Sequence, residues 1–304
     1  MNKLQLKGPE LGTAMREVLN CYTPARAAHM IFSNPPLVEL LAELRWVPGV
    51  ASGAFPLPQP QTGNVAVQSG TIQFPITTPH QEESFSRFAN RVGEKGFGLS
   101  ERLAPLGFPL LPFTVVYRFR KPPSAGENYL YQMGPGLFSA NALPPYRSWD
   151  SFRPIVEEGI RALLESRHPT EHGPFASVKL GYINLFTEEF TEGRRSFRFL
   201  TDVLGMKLDL PNTLKEQTSD IDSVQAGIQF SMPLRNGLLM NLNMQDGTVS
   251  TKTGILMSTE VVATRPTPPD LVQIMQIFET AHDSIRVTFV DLTQKLSAKM
   301  LPVQ

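Results

Sequence analysis

Tyr131 to Phe152 reads YQMGPGLFSANALPPYRSWDSF. The stretch is the end of a strand, a Gly-Pro-Gly corner, a short extended segment and a Pro-Pro-Tyr turn that delivers the chain to a helix. Upstream, Phe113–Phe119 alternates, with Phe113, Val115, Tyr117 and Phe119 on one side and Thr114, Val116 and Arg118 on the other. With Tyr129–Met133 it predicts a hairpin closed by the long loop KPPSAGEN. Downstream, Ser148 is placed to cap a helix whose face is Phe152, Ile155, Val156, Ile160 and Leu163, and His168-Pro169 stops it. Ser177–Phe186 follows as a strand, with Val178, Leu180, Tyr182, Asn184 and Phe186 on one face.

Further out, Asn34–Val47 fits two periods. Val38, Leu40, Ala42, Leu44 and Trp46 alternate as a strand would, while Leu37, Leu40, Leu41 and Leu44 also fit one side of a helix. Pro48–Gly63 is rich in proline and glycine and reads as a loop, and Val65–Phe74 as a small hairpin. Thr78 and Gln81 have the spacing of a capping box, opening a helix with Phe85, Phe88, Ala89 and Val92 on its apolar side. Gly93, Gly96 and Gly98 end that helix, and Leu99–Leu106 reads as a further turn or two. Leaving the small hairpin aside, Leu37 to Phe186 has the order β-α-β-β-α-β of a ferredoxin-like sandwich. An N-terminal arm, residues 1–33, precedes it, with a short helix expected over Leu11–Asn20.

The second half changes character. A short helical stretch around Phe197–Leu204 leads to a polar connection and then a three-strand meander. Val224–Met232 alternates, Leu238, Met240, Leu242 and Met244 line one side of the middle strand, and Val249–Ala263 forms a long third strand bent at Gly254. Asn236-Gly237 and Asp246-Gly247 are dipeptides preferred in tight hairpin turns. Thr267-Pro-Pro-Asp270 then opens a helix, with Thr267 as its cap. Leu271, Ile274, Phe278, Ile285, Phe289, Leu292 and Leu296 form a stripe along about thirty residues, or roughly 45 Å. The expected class is α+β with a mostly antiparallel sheet. The expected units are 1–33, 34–190 and 191–304, the last two either separate or fused into one domain.

Among 304 residues, 41% are hydrophobic and 18% charged, enough apolar material for a core and too much for a disordered chain. The 28 basic residues balance 28 acidic ones, which removes the overall electrostatic signature of a nucleic-acid binder. A single cysteine, Cys21, excludes an internal disulfide framework and a cysteine-built zinc site. No apolar run reaches the roughly 18 residues of a membrane span, and the N-terminus lacks the apolar core of a signal peptide. The expected location is cytoplasmic.

Four stretches in this order, NPPLVELLAELRW, QMGPGLFSAN with PPYRSWDSF, KLGYINLF and AHDSIRVTF, resemble a sporadically distributed family of uncharacterised bacterial proteins of about this size. The resemblance spans Asn34 to Leu296 and favours a strand over Asn34–Val47. It implies no activity, cofactor or catalytic residue. The family's patchy distribution suggests accessory genes such as defence or toxin–antitoxin loci. Gly181 stands where the family usually has an arginine, so no role of that arginine carries over.

No catalytic signature is present, and the expected function is non-enzymatic binding of a protein partner, with a homodimer through the C-terminal helix as a further expectation. Asn184 shares a strand face with Tyr182, so its amide either ties down a neighbouring segment or, with Tyr182, orients a ligand. Trp149 follows the Ser148 cap into the adjoining helix and Tyr146 precedes it, and a pocket around Tyr182, Asn184 and Trp149 is the enzymatic alternative. His282, at the edge of the terminal stripe, has no nucleophile motif to serve. Glu43 and Arg45 share a strand face as an ion pair and complete the candidate binding residues. Glu39 and Glu43 lie about 13 Å apart in a strand, too far for a glycosidase pair. HPTEH, with His168, Glu171 and His172, is a weak metal candidate. Gly134-Pro135-Gly136 lacks the lysine and spacing of a phosphate loop. No cofactor or metal is expected, and binding of RNA or DNA is the third reading.

Overall fold

The computed structural model describes residues 31–48, 79–105, 110–123, 126, 128–145 and 148–303. The helix expected over Leu11–Asn20, the hairpin over Val65–Phe74, Thr78, Tyr146 and all but the first residue of the Pro48–Gly63 loop lie outside these. Nine strands are β1 (Leu37–Arg45), β2 (Leu99–Arg102), β3 (Tyr117–Arg120), β4 (Tyr129–Gly134), β5 (Leu137–Ala142), β6 (Ser177–Phe186), β7 (Ile228–Pro233), β8 (Leu238–Val249) and β9 (Lys252–Ala263). Three long helices are α1 (Pro79–Gly93), α2 (Trp149–Ser166) and α3 (Leu271–Leu292). The strands form one sheet in the order β2-β3-β4-β5-β1-β6-β9-β8-β7, every neighbouring pair antiparallel.

The Gly-Pro-Gly corner is a two-residue hairpin turn. Gly134 pairs with Leu137, and Gly136 takes φ 70° after Pro135. A Cβ on Gly136 would sit 2.4 Å from the Trp46 carbonyl oxygen, so both the turn and the close approach require glycine. The extended segment beyond the corner is thus a full strand, β5, pairing with β4 on one side and β1 on the other. With β6 beyond β1, the order β6-β1-β5-β4 and the helices α1 and α2 reproduce the ferredoxin-like arrangement. Its central hairpin is β4–β5, where the alternation around Phe113 had pointed to β3–β4.

Two further strands, β3 and then β2 at the edge, extend this unit. Phe113 sits at φ 62° with its N–H on the Pro135 carbonyl (2.8 Å), so the regular strand starts only at Tyr117. Leu99–Arg102 is strand β2 rather than extra helix. Charge pairing places it there: Glu101 lies 3.4 Å from Arg118, and Arg102 bonds both Glu82 (2.8 Å) and Tyr117 (2.7 Å).

In the second half the meander holds, with two corrections. The first turn is a three-residue loop closing on Gly237 at φ 83°. Asp246 and Gly247 stay inside the ladder opposite Ile255 and Gly254, and the second turn comes at Ser250-Thr251. Asp246 is held there by a hydrogen bond from Ser196 Oγ (2.7 Å).

The helix α3 is capped by Asp270, whose side chain accepts from the Gln273 N–H at 2.8 Å, rather than by Thr267. Thr267 instead exchanges backbone hydrogen bonds with Phe175 (2.8 and 2.9 Å), since the prolines after it keep the chain extended. The regular helix stops at Leu292, about 33 Å long by its 22 residues, and short turns continue to Met300.

The three helices share one face of the sheet. α2 lies between α1 and α3, and α3 covers β6 and β9. The main core holds Leu40, Phe88, Tyr131, Phe138, Phe152, Val178 and Phe278. A second cluster, around Phe186, Phe199, Met244, Met257 and Met300, fills the other end. Among the described residues no helix is long and apolar enough to cross a membrane.

Candidate functional site

Period-two alternation in β6 turns Tyr182 and Asn184 toward the helices, the face that also carries Val178 and Leu180 into the core. Ser148 caps α2 by accepting from the Ser151 N–H at 3.3 Å, and Ser151 returns the bond to the Ser148 N–H. That box fixes Trp149 as the first helical residue, directly above β6. From the other side, α3 presents Glu279, His282 and Arg286 on successive turns. Between them lies a cavity of about 380 Å³.

Its walls are specific. Tyr182 Oη lies 2.7 Å from His282 Nδ1, and the Trp149 ring stacks on His282 with centroids 5.0 Å apart and planes 13° off parallel. Trp149 Nε1 donates to Glu279 Oε2 at 2.9 Å, and Arg153 pairs with the other oxygen of Glu279. Arg286 pairs with Asp283 at 3.1 Å. Leu37, Ile285, Phe289, Val290, Ile31 and Phe32 make the remainder of the lining largely apolar. Phe32 is held at the rim because Ile31–Phe32 pairs with Pro302–Val303, and its ring meets Phe289 edge-on at 6.3 Å.

Burial pushes the His282 pKa down to about 4, and the nearby Arg286 adds to it, against Asp283, Glu279 and Asp150. The imidazole is therefore neutral at neutral pH and offers one donor and one acceptor nitrogen. Asn184 is only 3% exposed. Its backbone is in the ladder between Met257 and Leu37, yet its side-chain amide has no hydrogen-bond partner among the described residues. The tie to a neighbouring segment weighed from sequence is not found there.

Four of the sequence-derived residues, Trp149, Tyr182, Asn184 and His282, thus meet in one cavity. Tyr146 lies outside the described residues. Glu43 and Arg45 do not join the site, because they stand on the opposite face of the sheet. There Glu43, 7% exposed, lies 2.8 Å from Arg45 and 3.3 Å from Lys179, which also meets Glu260 at 3.1 Å. The HPTEH residues are engaged separately: His168 with Thr170 (2.8 Å), His172 with the Arg167 carbonyl (3.0 Å) and Glu171 with Trp46 Nε1 (2.7 Å). Sequence reading missed Glu279, Arg286 and Phe289. Their three-, four- and seven-residue offsets from His282 put them on its side of the helix, a signal that was available.

A scan against family models and searches of curated proteins and of solved structures found no match.

Proposed function

We propose that this chain is a binding protein and not a catalyst, an accessory component that seats a compact ligand between β6, the start of α2 and α3. The observation that carries this reading is Asn184, a buried amide lining a preformed apolar cavity and left without a protein partner. That amide opens onto the cavity, where a ligand would take up its donor and its acceptor. A protein partner is proposed at the free edge of β7, where Phe230 is 41% exposed and no further strand follows among the described residues. An extended segment would add there as a tenth strand. The resemblance to a patchily distributed bacterial family supports an accessory role of the defence or toxin–antitoxin kind.

The reading is tested by thermal shift with a fragment library on wild type and on Asn184→Ala checked for folding. Fragments that raise Tm of wild type and leave the variant unmoved are expected. A library that stabilises neither would refute the pocket reading. One observation favours an enzymatic alternative: a neutral His282 hydrogen-bonded to Tyr182 is a proton-transfer pair. Turnover of any ester or amide substrate that disappears in His282→Gln would decide for it.

A further inference from the structure

Charge, shape and hydrogen-bonding capacity at the pocket each narrow its ligand. Of the acids in the walls, Glu279 is committed to Trp149 and Arg153 and Asp283 to Arg286, while Asp150 is exposed at the rim. A carboxylate ligand would meet Asp150, Glu279 and Asp283 together. An ammonium ligand would have to compete with Arg153 for Glu279 and with Arg286 for Asp283, and would find open only Asp150 on the solvent side. Neither sign of charge has a buried counter-ion waiting, so an uncharged ligand loses least on leaving water. A cavity of about 380 Å³ is at the small end of the roughly 300–1,000 Å³ typical of ligand pockets. Its Leu37, Ile285, Phe289 and Val290 surfaces suit a compact ring.

Asn184 supplies the remaining constraint. Its side chain offers one carbonyl acceptor and an NH₂ donor side by side. The group that satisfies both at once presents a donor and an acceptor at the same spacing, which is another amide. We propose that the pocket binds a small, uncharged aromatic or cyclic molecule bearing a carboxamide, with the ring on the apolar wall and the amide edge paired with Asn184. This deepens the binding reading above and rests on it.

The test uses the full chain labelled with ¹⁵N and four one-ring probes of matched size: benzamide, toluene, benzoate and benzylamine. Benzamide is expected to shift the Asn184 side-chain NH₂ resonances and to bind at least ten-fold tighter than each of the others. In Asn184→Leu that advantage should vanish while toluene binding persists; Asn184→Ala serves if the leucine variant does not fold. Toluene binding as tightly as benzamide would overturn the amide assignment and leave the pocket reading standing. Benzoate or benzylamine binding best would overturn the uncharged assignment. If none of the four shifts any pocket resonance, the inference and the pocket reading fail together.

Discussion

Lowering the pH should cost this protein stability through His282 before its carboxylates titrate fully. In the unfolded chain the imidazole has a pKa of about 6.5; folded, burial between Trp149 and Tyr182 and the nearby Arg286 bring it to about 4. The folded state refuses a proton that the unfolded state accepts. Stability is therefore intact above the unfolded value and falls as pH drops from about 6.5 toward 4. Integrating the linkage between pH 7 and 4.5 gives a loss of about 2 kcal/mol from this one side chain. The charged groups around it are Asp150, Glu279, Asp283 and Arg286. The assay is urea unfolding at stepped pH, on wild type and on His282→Gln, which removes the titration. The wild-type curve should steepen relative to the variant by about 2 kcal/mol over that interval. Parallel curves, or an NMR titration placing His282 near 6.5, would refute the reasoning, because either means that water reaches the ring.

Three further outcomes follow from the packing. Asn184→Leu should leave stability within about 1 kcal/mol in urea melts, since the amide it removes opens onto the cavity and bonds no other described side chain, and a larger loss would mean that the amide is tied to the protein in solution. Gly159→Ala should destabilise by about 1–3 kcal/mol despite alanine's better helix propensity, since its Cβ would lie 2.5 Å from Tyr131 and 2.9 Å from Phe138. Glu171→Ala should cost about 2–4 kcal/mol in urea melts and alter Trp46 fluorescence. It removes the acceptor of Trp46 Nε1 and the carboxylate nearest Arg167, whose buried guanidinium lies between Trp46 and Phe175 and has its pKa lowered to about 10 by that burial.

Where burial alone orders the chain, the sequence was legible. β6, the apolar side of α2 and the face of β8 all carry the period of their element, and the Ser148 cap follows from local chemistry. The misread elements are those where polar contacts decide. β2 is recruited by ion pairs, so LSER has no apolar alternation to read. In β5, Ser139 and Asn141 are buried because they bond each other (2.8 Å) and Asn141 reaches Glu39 (2.6 Å). Asp246-Gly247 has turn chemistry, yet Ser196 and the length of β9 hold it in the ladder. For the site, alternation placed Tyr182 and Asn184 together, while the approach of Trp149 and His282 depends on two crossovers that no local pattern records. The missing partner of Asn184 is visible only once its neighbours are in place.

The seam between β6 and β9, eight paired positions from Phe186–Ile255 to Lys179–Val262, has a practical consequence. The chain joining its two sides runs through Pro211–Gln217, where every residue is exposed. A single cut there would separate a fragment carrying Trp149, Tyr182 and Asn184 from one carrying Glu279 and His282. Each fragment would keep most of its own hydrogen-bonded strands and one open ladder edge addressed to the other. The molecule is thus laid out for fragment complementation, in which two halves produced separately regain a common sheet. Because the cavity exists only when both are present, its occupancy would report their reunion.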